Sequence, residues 1–214
     1  MTQSRYERNV KITLTELVLE GILGLPPDPR GVIVFAHGSG SGRLSPRNNF
    51  VARHLQQNGF ATLLLDLLTP DEAEDRRNVF DIDLLADRLL LTKSWLEQEP
   101  RTKKLGVGYF GASTGAGAAL QAAARKPSNI RAVVSRGGRP DLAETYLPSV
   151  AAPTLLIVGG WDEPVIEMNR SAFELLSCEK KLIIVPGATH LFEEPGTLEQ
   201  VADRACTWFL HHLC

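Results

Sequence analysis

The sequence predicts an α/β domain: a mostly parallel central sheet of about eight strands with helices on both faces. Two observations carry that reading. Short, almost wholly apolar runs bounded by glycine or proline recur along the chain, such as GVIVFA at 31–36 and LIIVP at 182–186. Strands read this way when crossover helices cover both faces of a parallel sheet. Between the runs lie stretches of crossover length with apolar residues three and four apart, and strands alternating with such helices wind into a parallel sheet.

Taken in order, residues 10–14 alternate polar and apolar, and 18–25 form a second strand. Thr15, Glu16 and Leu17 join them, which predicts an opening hairpin. The prolines of 26–29 end it. Residues 31–36 are a buried strand. Residues 49–58 set Phe50, Val51, His54 and Leu55 at helical spacing and stop at Gly59, a helix C-terminal signal. A strand at 60–67 follows, then a short, mostly charged loop at 70–78. A long helix over 79–98 turns Leu84, Leu85, Leu89, Trp95 and Leu96 inward. Residues 105–110 are a strand and 115–125 an Ala-rich helix. Strands at 130–135, 154–158 and 182–185 alternate with helices at 165–176 and 198–213. No repeat, low-complexity tract or linker interrupts the series, so 1–214 reads as a single domain. The segment 136–153 holds three prolines and has room for at most one short helix, so no lid domain is expected.

Composition excludes several classes. With 214 residues, 43% hydrophobic and 22% charged, the chain is neither disordered nor fibrous. A net charge of -2 makes no electrostatic case for nucleic acid or an anionic membrane as partner. Residues 1–11 are polar, with no signal-peptide core, and no run approaches membrane-spanning length. Cys178, Cys206 and Cys214 are scattered and odd in number, and they match no metal or disulfide spacing. The expectation is a cytoplasmic protein with reduced thiols acting on a small molecule, its oligomeric state left open. His211-His212-Leu213-Cys214 is no prenylation box, since its Cys is the last residue.

In an open parallel sheet, ligands sit beyond the carboxyl ends of the strands. After GVIVFA comes His37-Gly38-Ser39-Gly40-Ser41-Gly42, and after LGVGYF comes Gly111-Ala112-Ser113-Thr114-Gly115. TLLIVGG is followed by Trp161-Asp162-Glu163, and LIIVP by Gly187-Ala188-Thr189-His190. Gly111-x-Ser113-x-Gly115 between strand and helix is the nucleophile-elbow pattern: the Ser is held on a strained turn, and only glycines two residues either side leave room for it. Gly106-x-Gly108-x-x-Gly111 also matches the dinucleotide fingerprint. That reading needs a strand before Gly106, where EQEPRTKK is charged and broken by Pro100, and an acid where Arg131 stands. It is set aside.

On HGSGSG at 37–42, GASTG at 111–115, Asp162 and GATH at 187–190, the chain resembles the α/β-hydrolase family, most of all its small dienelactone-hydrolase-like branch. The resemblance covers nearly the whole chain. It implies a serine hydrolase cleaving small esters, lactones or thioesters through an acyl-enzyme, with no metal and no cofactor. Characterised dienelactone hydrolases use a Cys nucleophile, so with Ser113 here the namesake substrate is not carried over. His190 would act as general base and acid, and Asp162 would hold its tautomer. The backbone N–H groups of Thr114 and Ser39 would form the oxyanion hole. Acyl transfer or perhydrolysis at the same acyl-enzyme is an alternative, as is a catalytically silent binding module on the same fold.

Rival readings attach to several residues. Asp162 could cap the helix that starts near Pro164, with Glu163 as an adjacent competitor for the acid. His54 lies in a helix, His211 and His212 are terminal, and His37 is expected to order the glycine loop. Arg43, Arg47, Arg136 and Arg139 should sit near the mouth of the site. They either recognise an anionic group or pair with surface acids such as Asp71, Glu72, Glu74, Asp75 or Asp141, the commoner fate. Without a lid the pocket should be shallow and open, walled by the glycine loop, the RGGR segment at 136–139, Trp161, Leu191 and Phe192.

Overall fold

The computed structural model describes residues 6–14, 17–125 and 130–213. Its eight strands form one sheet in the order β1 (Glu7–Leu14), β2 (Leu17–Gly24), β4 (Ala61–Leu65), β3 (Val32–Ala36), β5 (Val107–Ala112), β6 (Ile130–Arg136), β7 (Thr154–Gly159), β8 (Lys180–Val185). β1 (Glu7–Leu14) and β2 (Leu17–Gly24) pair antiparallel, as the alternation predicted, though the turn residues Thr15 and Glu16 lie outside the described residues. β2 is also antiparallel to β4 (Ala61–Leu65). From there on, every pairing is parallel, through β3 (Val32–Ala36), β5 (Val107–Ala112), β6 (Ile130–Arg136), β7 (Thr154–Gly159) and β8 (Lys180–Val185).

The apolar runs are apolar because both faces are covered. Along β3, Val32, Val34 and Ala36 face one core, and Ile33 and Phe35 face the other. The first core is closed by α4 (Ile82–Leu96), α5 (Thr114–Arg125) and α6 (Glu163–Leu175). The second is closed by α1 (Pro46–Gln57) and α7 (Thr197–Leu213), with Phe209 wholly buried. Of the residues expected on the inward side of α4, Leu85, Leu89 and Leu96 are buried, and Leu84 and Trp95 are half-buried.

Among the departures from the sequence reading, two have clear local causes. α1 begins at Pro46 rather than at 49, because Ser45 caps it: the Asn48 N–H donates to Ser45 Oγ at 3.4 Å. The segment 70–78, expected as loop, forms α2 (Pro70–Glu74) and most of α3 (Arg76–Val79). There Thr69 and Glu72 make a reciprocal capping box, with Thr69 N–H donating to Glu72 Oε2 at 2.9 Å and Glu72 N–H to Thr69 Oγ1 at 3.2 Å. Two short 3₁₀ stretches kinked at Ala143, together Pro140–Ser149, fill the segment where a lid would insert. No helix among the described residues is long and apolar enough to cross a membrane.

Candidate active site

β5 passes into α5 through Ser113, whose φ of 51° is left-handed. A non-glycine residue there costs on the order of 1–3 kcal/mol and persists only where its surroundings enforce it. They do so closely. A Cβ on Gly111 would lie 2.4 Å from Ala116 Cα, and one on Gly115 would lie 2.3 Å from the Ala36 carbonyl oxygen. Ser113 N–H donates to Arg136 O at 3.2 Å, and Ser113 O accepts from Ala116 and Arg139 N–H at 3.0 Å each. The elbow is thus clamped from β3, β6 and its own helix. Gly108 lies within β5 and Gly106 just before it, so neither stands at the turn that a dinucleotide loop needs.

Asp162 follows β7 and occupies the N-cap position of α6, yet its side chain makes no capping bond. Its Oδ2 lies 2.6 Å from His190 Nδ1 instead. That separation is that of a charge-assisted hydrogen bond from imidazole to carboxylate. With Nδ1 so engaged, Nε2 is the ring nitrogen left for the cavity. The two loops are tied at backbone level, since Trp161 N–H donates to Ala188 O at 2.9 Å and Gly160 N–H to Val185 O at 2.8 Å. Glu163, the competing acid, is exposed.

The glycine loop packs directly on the elbow: a Cβ on Gly38 would stand 2.9 Å from Ser113 Cβ. Its first residue, His37, is structural. The Leu67 N–H donates to His37 Nε2 at 3.0 Å, and His37 Nδ1 lies 2.9 Å from Gly38 O, so the proton is on Nδ1. Burial holds the imidazole below its ordinary pKa, in the neutral form those bonds require. Ser113 and His190 share a cavity of about 190 Å³ with Gly38, Ser39, Arg136 and Leu191. A second cavity of about 300 Å³ adjoins it across the glycine loop, reaching Ser39, Thr114 and an apolar wall of Leu68, Pro70, Ala73, Val79 and Leu85. Thr114 opens α5, so its N–H belongs to the first turn, where no intrahelical acceptor is available. This geometry can hold an acyl group against a hydroxyl, with a histidine to move its proton and backbone donors close by.

The outer wall departs from expectation. Arg139 donates to Asp141 from Nε at 2.9 Å and from Nη2 at 2.7 Å, the surface pairing named among its alternatives. Arg43 is not at the mouth. Its guanidinium pairs with Asp66 and Glu20, and its N–H donates to Asp66 Oδ1 at 2.7 Å, because the chain turns it toward β2. Arg47 and Arg136 do line the smaller cavity. Leu191 lines it too, but Trp161 projects outward at 68% exposure. Phe192 is buried instead of walling the pocket: at φ 55° the chain reverses and carries its ring into the core over α7. The sequence reading missed the apolar wall. The Thr69-x-x-Glu72 capping signature was the one cue that 70–78 is ordered enough to supply it.

Away from this edge, Glu179, His211 and His212 bring ligand atoms within 4.8 Å of one another. They sit before β8 and at the end of α7, at the amino edge of the parallel strands, opposite Ser113.

Residues 31–159 match a family described as alpha/beta hydrolase fold. A dienelactone hydrolase from Anabaena variabilis is 57% identical, with 97% of this chain and 98% of that one covered and a TM-score of 0.95. A Xanthomonas campestris protein described as an α/β serine hydrolase without lid shares the fold at 18% identity, covering 98% and 96% of the two chains, with a TM-score of 0.76. Two Mycobacterium tuberculosis proteins, provisionally named phosphoribosyl transferases, are 60% identical over 97% of this chain and 47% of their own length. The chain therefore spans about half the length of the curated relatives it matches.

Proposed function

The chain belongs to the α/β-hydrolase family, and from that premise we propose that it is a serine hydrolase of small esters, lactones or thioesters. The observation that carries the reading is Asp162 Oδ2 at 2.6 Å from His190 Nδ1, beside a serine held at φ 51° in the same cavity. A serine hydroxyl is a weak nucleophile near neutral pH and needs a base within reach. In the proposed cycle His190 Nε2 takes the Ser113 proton as Oγ bonds to the acyl carbon. The Asp162 carboxylate stabilises the imidazolium, and the N–H groups of Ser39 and Thr114 donate to the carbonyl oxygen as negative charge builds on it. Collapse breaks the bond from the acyl carbon to the leaving oxygen or sulfur, which takes the proton from His190: an alcohol or thiol departs, or, from a lactone, the new hydroxyl stays on the bound acyl chain. Water then repeats the sequence on the acyl-enzyme, releasing the acid and restoring Ser113.

The name of the Anabaena protein, a dienelactone hydrolase, supports lactones among the substrates. The transferase name belongs to proteins of about twice this length and carries no activity over to this segment. Labelling with a fluorophosphonate probe, followed by turnover of a panel of 4-nitrophenyl esters and lactones, tests the proposal. Wild type should label and hydrolyse. Ser113→Ala, still folded, should do neither, losing about a thousandfold or more of the activity. An unlabelled wild type, or a Ser113→Ala variant with wild-type turnover, would overturn it.

A further inference from the structure

The amino edge of the parallel strands, opposite Ser113, holds three metal-ligating side chains that the hydrolase reading does not use. Glu179 stands just before β8, and His211 and His212 lie in the last turn of α7. Neighbours along a helix ordinarily diverge, because successive residues point about 100° apart. Here the two rings meet edge to face instead, with centroids 4.6 Å apart. Ligand atoms of all three side chains lie within 4.8 Å of one another.

His212 is the fixed member. Its side chain is 8% exposed, and its ring lies 4.4 Å from that of Trp208, whose Nε1 donates to Pro153 O at 3.3 Å. His212 Nε2 is buried with no hydrogen-bond partner, an arrangement that folded proteins ordinarily avoid. Glu179 Oε1 stands 3.7 Å from that nitrogen, beyond hydrogen-bond reach. Among the described residues, no lysine or arginine pairs with this carboxylate. The adjacent Lys180 turns away, its Nζ donating to the carbonyl oxygens of Phe173 and Leu176. The Glu179 main chain is anchored, its carbonyl accepting from Thr154 N–H at 2.8 Å, while its side chain is 59% exposed and able to swing. His211 is exposed as well.

We propose that Glu179, His211 and His212 bind a Zn²⁺ ion, which ties the last turn of α7 to the start of β8. Two imidazoles and one carboxylate suit zinc, whereas Ca²⁺ and Mg²⁺ are held by oxygen ligands. Zinc bonds of about 2.0–2.2 Å at tetrahedral angles put donor atoms roughly 3.4 Å apart. The 3.7 Å between His212 Nε2 and Glu179 Oε1 is already near that value. Distances of up to 4.8 Å close by rotation of the two exposed side chains about the buried one. Water takes the fourth position. The helix adds its own attraction, since the unpaired carbonyls of its last turn carry partial negative charge at this end. β8 is the last strand of the sheet and α7 the last helix of the chain, so the ion would fasten two elements at the fold's margin. Only folding brings Glu179 to the two histidines, so zinc binds the folded chain more tightly than the unfolded one and stabilises it.

The test titrates the metal-free full chain, carrying no affinity tag, with Zn²⁺ against a chromogenic chelator near neutral pH. It also compares urea midpoints with and without the ion. Wild type should bind one ion per chain at this site and show a higher midpoint with zinc. Glu179→Gln and His211→Asn each remove an exposed donor, and His212→Gln removes the buried one. Each should weaken binding at least about tenfold, the smallest loss expected when even an outer-shell partner of a metal ligand is removed, and should erase most of the midpoint gain. If His212→Gln does not fold, the two exposed variants carry the comparison. Cys178 and Cys214, the latter outside the described residues, are close in sequence to the proposed ligands. Zinc that wild type binds but a Cys178→Ser, Cys214→Ser protein does not would belong to the thiols and end the proposal. So would a wild type that binds no zinc, or binding that folded Glu179→Gln and His211→Asn proteins keep at full strength. None of these readouts involves Ser113, so the site stands or falls apart from the hydrolase reading.

Discussion

Replacing Gly38 with alanine should damage catalysis as well as stability. The added Cβ would stand 2.9 Å from Ser113 Cβ and 3.2 Å from the Ala112 carbonyl oxygen. Carbon–carbon contacts relax at about 3.5–4.0 Å, so the pair must separate by roughly 0.6 Å or more. Ser113 cannot yield, since Gly111 and Gly115 are pressed against backbone and its own N–H and C=O are bonded to Arg136, Ala116 and Arg139. The glycine loop must move instead, pivoting on His37, which the Leu67 N–H holds at 3.0 Å. Ser39 N–H, one residue further on, moves with it. Misplacement approaching 1 Å costs about 10²-fold, and loss of one oxyanion donor about 10²- to 10³-fold, so kcat for 4-nitrophenyl acetate should fall about a hundredfold with KM little changed. The overpacking itself should cost about 1–3 kcal/mol, read from urea midpoints. A folded Gly38→Ala protein with kcat within about threefold of wild type would refute the placement of Ser39 in the oxyanion hole.

Asp162→Asn should lose about 10³- to 10⁴-fold in kcat through the wrong His190 tautomer, whereas Glu163→Gln should stay near wild type; the reverse pattern in steady-state kinetics would move the acid to Glu163. Because burial lowers the His37 pKa, its contribution to stability is fully present above the unfolded value near 6.5 and is lost as pH falls through that value toward the folded one. Urea midpoints at pH 7.5 and 5.5 should therefore drop with acid, by less in His37→Gln, and equal slopes in the two proteins would refute the assignment. Cavities of about 190 and 300 Å³ should favour short acyl groups over long ones in kcat/KM. A rate jump above the micellar threshold of a long-chain ester would count against that.

What the sequence determined by itself was whatever local physics enforces. Strand runs, helix spacing and the placing of Ser113, Asp162 and His190 just beyond strand ends could be read off because each depends on residues a few positions apart: two glycines around an elbow, an apolar stripe, a loop at a strand's carboxyl end. Even the decoy at Gly106 could be dismissed on its neighbours. Ser45 and Thr69 show the same rule from the other side, since the caps that moved α1 and ordered 70–78 were written locally. The fates of long side chains were decided only in tertiary structure. Arg47 found Glu193 across 146 residues and Arg43 found Asp66 across 23, while Arg136 Nε has no partner among the described residues; Arg139, by contrast, took Asp141, two positions away. Asp162 stood where a helix cap belongs and turned to His190 instead. Phe192, one residue past a pocket-lining leucine, was sent into the core by a left-handed φ. A guanidinium or a carboxylate takes the partner that packing brings within about 3 Å, and for Arg47, Arg43 and Asp162 that partner came from the closed sheet, not from the chain beside it.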